Sequence, residues 1–552
     1  MSRHGLRWRS VSGQRPVAGE GTDTAPPLRW LLGIAAGMEA LLLALWLVAA
    51  QGGLAQSGSP LARAVFGTAP TVASVVAHPQ GAALALFAVL LVVASVVAAA
   101  GPWLCRRYQG AERRHLALAL GAAAALGLTL VLLPTLPSGD IFSYILYGRI
   151  SAVHHANPLV APPSAFPHDP FLGLVYWSGT RSVYGPAWLL LSGGVTLLAQ
   201  ALGGSLATYV LLYKLLGLGA HLANAALIWA ILGRIAPERR LLGTLLYAWN
   251  PLCLLEFCTS GHNDALMLSF MLLGVYCLVR GWEWPALLCF GVSIAIKYVL
   301  LALLPLYLLV VARQRASAGR PYDNVAGRQR ASAGRPYEEG GMGRGEVIRV
   351  AAWAAVWRGL VVAGVVVGLT LPFWAGAETL GAIFYSPPAQ QLDNSLLEVA
   401  QWPLRAVAQV LGIGPHAAAR GVQTGLKVAG LLVFVGLWLR ALWRARDLES
   451  MLDGWGWVLF WYAVVASVWF WPWYVTWGVA VVALLAWGEL TVATLLLAGG
   501  VTTLYAFLPL YASGIYGYRS LLAFGPALGY LGYVWYRRRA DAGKGAGKDA
   551  LA

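Results

Sequence analysis

The chain has 552 residues, of which 59% are hydrophobic, and its formal net charge is +16. Soluble domains are only about 45–50% apolar, so this composition and a mean hydropathy of +0.66 exclude a soluble globular protein. The positive charge does not require a nucleic-acid partner, because Lys and Arg are enriched on the cytoplasmic loops of membrane proteins. The composition predicts a polytopic α-helical protein surrounded by membrane lipid.

Apolar runs of about 20 residues recur along the chain, and each is long enough to cross roughly 30 Å of hydrocarbon. With basic clusters taken as cytoplasmic, residues 1–28 form a cytoplasmic tail. Three spans follow, at about 29–50, 81–100 and 117–136. The third span ends outside, where a polar external loop occupies 137–206. We expect its apolar part, 186–202, to dip into or lie along the outer leaflet, as re-entrant segments do where protein covers them.

The next spans lead to a lysine inside apolar sequence. They are expected at about 207–232, 241–258 and 265–280. The following run, 285–312, is too long for one simple span and carries Lys297 in its middle. A lysine at mid-membrane costs about 2.5–3.5 kcal/mol. The sequence therefore predicts two short helices with Lys297 at their outer tip, which completes a first transmembrane module at 29–312.

A tandem repeat follows this module. The segment Arg313–Tyr322 recurs as Arg328–Tyr337. Two copies cannot form a solenoid, and a segment rich in Arg, Gly and Ser is typical of a flexible linker. We expect 313–347 to be a cytoplasmic insertion without catalytic importance.

A second transmembrane module is expected at 348–536, with an external loop at 375–420. The basic segment 537–552 then forms a cytoplasmic tail. With 186–202 and the interrupted run counted as one element each, the chain has about 13–14 membrane elements. The predicted fold class is an all-α polytopic membrane bundle whose external loop 137–206 carries juxtamembrane helices.

A few polar side chains interrupt the apolar sequence on the predicted external side. Asp140 follows the third span and is either a capping or solvated aspartate or a general base. His262, Asn263 and Asp264 form a triplet between two apolar runs, and a helix N-cap explains only one of them. The triplet is therefore a candidate for binding a substrate.

Two lysines and an aromatic cluster each have two interpretations. Lys214 either snorkels to the interface or binds an anion, and Lys297, at a helix break, is the better anion ligand. The aromatic cluster 469–477 is either a membrane-interface belt or a rim for sugar rings. Tyr184-Gly185-Pro186 indicates by itself no more than a turn before a helix.

These features occur in an order that resembles a known family. The set consists of Asp140 with Tyr144 and Gly148, then Asn157-Pro158, Tyr184-Gly185-Pro186, the stretch from Gly261 to Met267, and Ile296-Lys297 followed by Pro305. Over roughly 115–310, the chain resembles the bacterial polyprenol-phosphate-mannose-dependent α-1,6-mannosyltransferases of the GT-C superfamily of membrane glycosyltransferases. It departs from that family between His154 and Leu159, where an aromatic residue more usually follows the proline, and in the repeat insertion.

The resemblance implies an integral protein of the bacterial plasma membrane with an extracytoplasmic active site in the module 29–312. It implies transfer of a hexose, in the first place mannose, from a polyprenol-phosphate donor to a hydroxyl of a glycan or glycolipid acceptor. Asp140 would be the catalytic base, because a positioned carboxylate takes the proton of a hydroxyl nucleophile. One base and one lipid-phosphate leaving group indicate a single displacement with inversion.

Cations and polar side chains complete the predicted site. The leaving phosphate develops negative charge that a lysine or arginine stabilises. The candidates for this role are Lys297 first, then Arg149, Arg519 and Lys214. The candidates for substrate binding are Tyr144, Asn157, Tyr184, His262, Asn263 and Asp264. The sequence establishes no cofactor, and a divalent metal held by His262, Asp264 and Asp140 is an alternative that lacks the usual ligand spacing.

Two other functions are compatible with this sequence. A transporter or flippase also uses buried charges and broken helices, but transporters often show inverted repeats, which are not evident here. A lipid-diphosphate-dependent polysaccharide polymerase or ligase would favour a richer external arginine cluster.

Overall fold

A computed structural model of the protein describes residues 25–51, 79–133, 138–318, 344–379, 392–507 and 519–549. Within these ranges the chain is built from α-helices, short 3-10 turns and two π-helical turns, and its β contact is an isolated bridge between Asp393 and Trp469. The predicted all-α polytopic class is confirmed. Most of the repeat-containing segment 313–347 lies outside the described residues, as does 380–391 of the second predicted external loop.

The helices of the first half carry most of the predicted site. They are α1 (Leu28–Gln51), α2 (Pro79–Cys105), α3 (Arg113–Val131), α4 (Asp140–Ala152), α5 (Pro186–Ala201), α6 (Leu206–Ile235), α7 (Arg240–Ala248), α8 (Pro251–Leu254), α9 (Asp264–Val279), α10 (Glu283–Ile296) and α11 (Val299–Ala318). A π-helical turn, Leu255–Thr259, continues α8. Helix α6 packs against α3, α7 and α9, and α10 packs between α9 and the first helix of the second half.

The helices of the second half follow the insertion. They are α12 (Arg344–Thr370), α13 (Leu396–Val410), α14 (Pro415–Arg444), α15 (Leu448–Trp461), α16 (Tyr474–Val482), α17 (Glu489–Thr502), α18 (Leu504–Phe507) and α19 (Arg519–Asp549). A second π-helical turn, Tyr462–Ala466, continues α15. Helix α12 packs against α10 and α11, and α16 packs against α9, so the two halves share one core.

Within the described ranges, seven helices are long and apolar enough to span a membrane: α1, α2, α3, α6, α11, α12 and α14. An eighth span is possible as the bent pair Pro237–Ala248 and Pro251–Thr259. The predicted 13–14 membrane elements therefore include shorter apolar helices, which are α5, α9, α10 and α17. Helix α5 has 16 residues and, at about 1.5 Å per residue, is shorter than the hydrocarbon core, in keeping with its predicted position as a non-spanning element.

Two breaks in the apolar sequence shape the centre of the molecule. The first is a bend of 50° after α7, where Pro251 has no backbone N–H and the Asn250 side chain accepts hydrogen bonds from the next free N–H groups. The second is the predicted break at Lys297, which is confirmed. Helix α10 ends at Ile296, and Lys297 has extended backbone angles (φ −154°, ψ 131°) before α11 begins.

The start of α5 is locked onto the break at Lys297. Gly185, the N-cap of α5, donates its backbone N–H to the carbonyl of Ile296 at 3.2 Å. A Cβ atom at Gly185 would lie only 2.1 Å from the carbonyl oxygen of Ala295. Only glycine permits this approach without displacing backbone. The contact therefore fixes the external loop relative to Lys297.

We expect Gly185→Ala to destabilise the protein, because the added methyl group must push α5 away from the end of α10. Overpacking of this kind costs about 1–3 kcal/mol, and the measurement is the melting temperature (Tm) of the purified protein in detergent. Gly193→Ala is the matched control, since it lies in the same helix and its Cβ would meet no atom within 4 Å. Equal Tm values for the two variants would contradict a structural role for the close contact between Gly185 and the end of α10.

Candidate active site

Asp140 is the first residue of α4, where a carboxylate is favoured by the positive end of the helix. Its side chain is 28% exposed, and the Tyr184 hydroxyl donates a hydrogen bond of 3.1 Å to Oδ2. Burial raises the pKa of Asp140 to about 6, although the charge of Lys297 and the bond from Tyr184 act in the opposite direction. The carboxylate is thus ionised at neutral pH and is a stronger base than an ordinary aspartate.

A tight turn brings the polar triplet to Asp140. Gly261 has φ +64°, a conformation that other residues adopt at a cost, and it directs the chain back into the core. The His262 Nδ1 atom lies 3.3 Å from the Tyr144 hydroxyl and 3.9 Å from Asp140 Oδ2. One face of the imidazole packs on Trp473, with ring centroids 4.1 Å apart. His262 is therefore a neighbour of the proposed base.

Asp264 and Lys297 form an ion pair at the same site. The Lys297 Nζ lies 2.8 Å from Oδ1 and 2.9 Å from Oδ2 of Asp264. The Trp477 indole N–H also donates to Oδ1, at 2.5 Å. The ammonium lies over the rings of Tyr474 and Trp477, at 5.6 Å and 5.4 Å from their centroids. Asp264 is fully buried, whereas the Lys297 side chain remains 19% exposed.

These contacts bring together most of the residues that were predicted from sequence. Lys297 is close enough to lower the pKa of Asp140, and His262 separates the base from the interior. The Tyr144 and Tyr184 rings pack edge to face at 4.9 Å, and Tyr144 makes the same contact with Trp188. The aromatic cluster 469–477 supplies Trp473 and Trp477 to this group of side chains, so part of it lines the candidate site.

Asn263 differs from its two neighbours in the triplet. Its side-chain oxygen and nitrogen are buried, and neither has a hydrogen-bond partner among the described residues. The amide lines a small cavity together with Trp188, Gly217 and Leu266. Asn263 is thus adjacent to the site but has no contact that ties it to Asp140.

Arg149 lies on α4 and bonds to residues outside the candidate site. Its Nε donates to Asp169 at 2.8 Å, and a second nitrogen lies 3.3 Å from the Tyr209 hydroxyl. The same Asp169 oxygen is 2.7 Å from His154 Nε2. Burial raises the pKa of Asp169, but the hydrogen bonds from His154 and Arg149 outweigh it, so the net pKa is below the ordinary value. These contacts support a structural role for Arg149 in place of the predicted phosphate role.

The side chains of two more predicted site residues donate hydrogen bonds to backbone carbonyls. The Asn157 amide donates to the carbonyl of Phe373 at 2.7 Å, which joins the external loop to the end of α12. The Lys214 ammonium is buried and donates to the carbonyls of Val131 and Leu133, at 3.0 and 3.1 Å. Lys214 therefore caps the end of α3, and this contact does not support its predicted role as a phosphate ligand.

Arg519 ties the last helix to the second predicted external loop. It donates to Asn394 at 2.7 Å, to Glu398 at 3.1 Å and to Asp393 at 2.5 Å. The backbone of Asp393 pairs in turn with the segment around Trp469. Its carboxylate partners give Arg519 a structural role, and they do not support the predicted phosphate role.

Sequence reasoning missed a buried acid. Glu256 lies in the π-helical turn after α8 and is fully buried. Its Oε2 is 3.3 Å from His262 Nε2, and the Tyr505 hydroxyl donates to Oε1. The available signal was a single glutamate within an apolar run, which is costly in a membrane and therefore indicates a function.

The predicted alternative of a metal site has no support in the geometry. Among the residues that the structure describes, no group of three or more His, Cys, Asp or Glu side chains is arranged to hold a metal ion. Both carboxylate oxygens of Asp264 are bonded to Lys297.

The comparison with known proteins identifies the family. A family model described as "Alpha-(1->6)-mannopyranosyltransferase, N-terminal domain" matches residues 34–313, which is just over half of the chain. The chain belongs to this family. Its predicted resemblance to membrane mannosyltransferases is therefore confirmed.

Three curated relatives of this mannopyranosyltransferase-family protein are themselves named alpha-(1->6)-mannopyranosyltransferases. An alpha-(1->6)-mannopyranosyltransferase of Mycobacterium tuberculosis is 28% identical over 28% of this chain and 26% of its own length. Alpha-(1->6)-mannopyranosyltransferase B of Corynebacterium glutamicum is 24% identical over 63% of this chain and 55% of its own. A probable alpha-(1->6)-mannopyranosyltransferase of Mycolicibacterium smegmatis is 27% identical over 28% and 27%. The chain thus spans between about a quarter and about half the length of these relatives.

The region that matches the mannopyranosyltransferase family contains the polar half of the site. Asp140, Glu256, the triplet and Lys297 all lie between residues 34 and 313. Trp473, Trp477 and Tyr505 come from the second half of the chain. The candidate site is therefore assembled from both modules.

We expect Asp169→Asn to destabilise this family member, because the substitution leaves Arg149 buried without its carboxylate. Breaking a buried ion pair in this way costs about 3–5 kcal/mol, and the Tm in detergent measures the loss. The control is Glu238→Gln, in a pair with Arg239 whose glutamate is 52% exposed. Surface substitutions of this kind change stability by less than about 0.5 kcal/mol. An unchanged Tm for Asp169→Asn would show that the pair does not hold the loop.

Proposed function

We propose that this protein transfers a hexose, mannose, from a polyprenol-phosphate donor to a hydroxyl group of a glycan or glycolipid acceptor. One observation carries the proposal: a partly exposed carboxylate, Asp140, shares a site with the ammonium of Lys297, whose charge acts on it, within the region that matches the family. A base and a cation in one site are the two groups that such a transfer needs. The names of the relatives, alpha-(1->6)-mannopyranosyltransferases, support mannose as the sugar.

Asp140 acts on the acceptor. A hydroxyl group is a weak nucleophile, and the ionised Asp140 takes its proton as the new bond to the anomeric carbon forms. The hydrogen bond from Tyr184 to Oδ2 fixes the carboxylate and leaves Oδ1 for the acceptor. Because the site holds one such base and the lipid phosphate leaves directly, the transfer proceeds by a single displacement with inversion.

Lys297 acts on the leaving group. Asp264 and Trp477 hold the lysine in place, and an ammonium has three donors, so it can also donate to a phosphate oxygen. Negative charge that develops on the lipid phosphate is stabilised most by a donor that is already positioned in a poorly hydrated site. Arg149 and Arg519 are both bonded to carboxylates, which favours one phosphate over a diphosphate as the leaving group.

The proposed site lies on the extracytoplasmic side of the plasma membrane. The positive-inside distribution of Lys and Arg supports this orientation. Aromatic rings line the approach: Trp471 stacks on Trp473, with centroids 5.1 Å apart, and Trp473 packs on His262. Such rings offer flat apolar faces with polar edges, which suit the faces of sugar rings in an acceptor.

The direct test is transfer by the purified protein in lipid vesicles. Polyprenol-phosphate hexoses with a labelled sugar are supplied with a mannan or glycolipid acceptor, and the product is analysed for its linkage and anomeric configuration. We expect labelled mannose in the product, with inverted configuration at the anomeric carbon. Absence of transfer from every polyprenol-phosphate hexose would overturn the proposal, and retention of configuration would overturn the single displacement.

We expect Asp140→Asn to lower the transfer rate by about 10²–10⁴-fold, since the substitution keeps the volume of the side chain but removes the base. In the wild type, the base works only when ionised, so the rate should fall as the pH is lowered through about 6, the pKa of Asp140. Asp453→Asn, outside the site, is the control and should keep the wild-type rate. Substantial activity in purified Asp140→Asn, above about a tenth of the wild type, would remove Asp140 from its role.

We expect Lys297→Ala to weaken donor binding and to slow transfer, by about 10²–10³-fold in kcat, the usual loss for one donor to a developing anion. Lys297→Arg should recover part of both, because arginine keeps the charge with a different geometry. The Tm of each variant separates this loss from misfolding, since Lys297→Ala leaves Asp264 without its partner. Normal donor binding by folded Lys297→Ala would contradict the phosphate role.

A further inference from the structure

Glu256 has no part in the reaction as described so far. It lies in a candidate membrane span, in the π-helical turn Leu255–Thr259, and its side chain is fully buried. A carboxyl group in this position is costly and is retained mainly for a function. Single π-helical turns inside helices are also found frequently at functional sites. Both features require an explanation at Glu256.

The contacts of Glu256 lead to the base through His262. Oε2 of Glu256 and Nε2 of His262 lie 3.3 Å apart, within ion-pair distance, and neither atom makes an aligned hydrogen bond to a described residue. The Tyr505 hydroxyl occupies Oε1. If the N–H of His262 is on Nε2, it faces Glu256, and Nδ1 presents its lone pair toward Tyr144 and Asp140. A carboxylate beside Nε2 favours this tautomer.

The charge of the cluster also favours the uptake of a proton. Three carboxyl groups, from Asp140, Glu256 and Asp264, lie near one ammonium, from Lys297. Full ionisation leaves two uncompensated negative charges in a mostly buried site, which is unfavourable. A proton taken from the acceptor and held among Asp140, His262 and Glu256 reduces this charge.

We propose that Glu256 is a positioning residue that orients His262 to receive the proton that Asp140 removes from the acceptor. The proposal rests on the proposed function. In the transfer step, the acceptor O–H bond breaks, its proton goes to Asp140, the bond to the anomeric carbon forms, and the lipid phosphate leaves with the electron pair. The proton then passes from Asp140 to Nδ1 of His262, while the proton on Nε2 passes to Oε2 of Glu256. Asp140 is thereby ionised again, and after the product leaves the proton returns by the reverse path through His262 to the partly exposed Asp140 and from there to water.

The first test is Glu256→Gln in the full-length protein. A glutamine can donate its amide N–H to Nε2, which reverses the tautomer and turns an N–H toward Asp140. We expect kcat to fall by about 10²-fold or more, as in other sites where the orienting carboxylate is replaced by its amide, with the KM for the donor unchanged. The acid limb of the pH–rate profile should move to lower pH, because an N–H donated to a carboxylate lowers its pKa.

Of the groups around Asp140, only Glu256 is substituted in this comparison. The titratable and charged groups around it are Lys297, Asp264, His262, Glu256, Tyr144, Tyr147, Tyr184, Tyr474 and Tyr505. Only Glu256 differs between the two profiles. A residue with a purely structural role would lower the Tm or the yield and leave the acid limb in place.

The second test is a double-mutant cycle with His262→Gln. If Glu256 acts through His262, then Glu256→Gln should cost less than about threefold in the His262→Gln background, since residues that act as a unit are not additive. Glu256→Asp, whose shorter side chain withdraws the carboxyl from Nε2, carries the same cycle if Glu256→Gln does not fold. Cys253→Ala, one turn earlier and also buried, is the control and should keep the wild-type rate.

The outcomes separate the two proposals. No transfer by the wild type overturns the proposed function. Transfer by the wild type, together with additive losses in the cycle or an unshifted acid limb, overturns the role of Glu256 alone. A shifted acid limb and a non-additive cycle support it.

Discussion

The ion pair between Lys297 and Asp264 joins the end of α10 to the start of α9. Neither charge is stable in this mostly buried position without the other. Asp264 begins α9 and is fully buried, and Lys297 follows the last residue of α10. A carboxylate without a partner in such a place would cost several kcal/mol, so the end of α10 must return to the start of α9. The break in the apolar sequence, the extended backbone at Lys297 and the indole bond from Trp477 all satisfy this one requirement.

The external loop is built onto that junction. Gly185 places the start of α5 against the end of α10, and α5 in turn packs against α4, whose first residue is Asp140. The ion pair of Arg149 with Asp169 and the bond from Asn157 to the carbonyl of Phe373 hold the rest of the loop. The base is thus positioned by a series of packing contacts and hydrogen bonds that begins at the charge pair.

The sequence indicated the central residues because they conflict with their surroundings. Asp140, the triplet and Lys297 are polar in an apolar sequence, and the cost of a lysine at mid-membrane predicted the break. The sequence did not indicate which cations are already bonded, because their partners lie far along the chain: Lys214 binds carbonyls 81 and 83 residues away, and Arg519 binds a side chain 126 residues away. Glu256 was missed for a related reason, since Tyr505, which donates to its carboxyl group, lies 249 residues away.

Each of the two buried acids accepts a hydrogen bond from the other half of the chain. Trp477 donates to Asp264 and Tyr505 donates to Glu256, and both donors lie beyond the region that matches the family's N-terminal domain. The N-terminal domain therefore depends on the second half of the chain for hydrogen bonds to its buried acids. A recombination event that replaced the second half with one lacking these two side chains would remove the Tyr505 donor from Glu256 and leave Asp264 with Lys297 alone, so the two halves are constrained to diverge together.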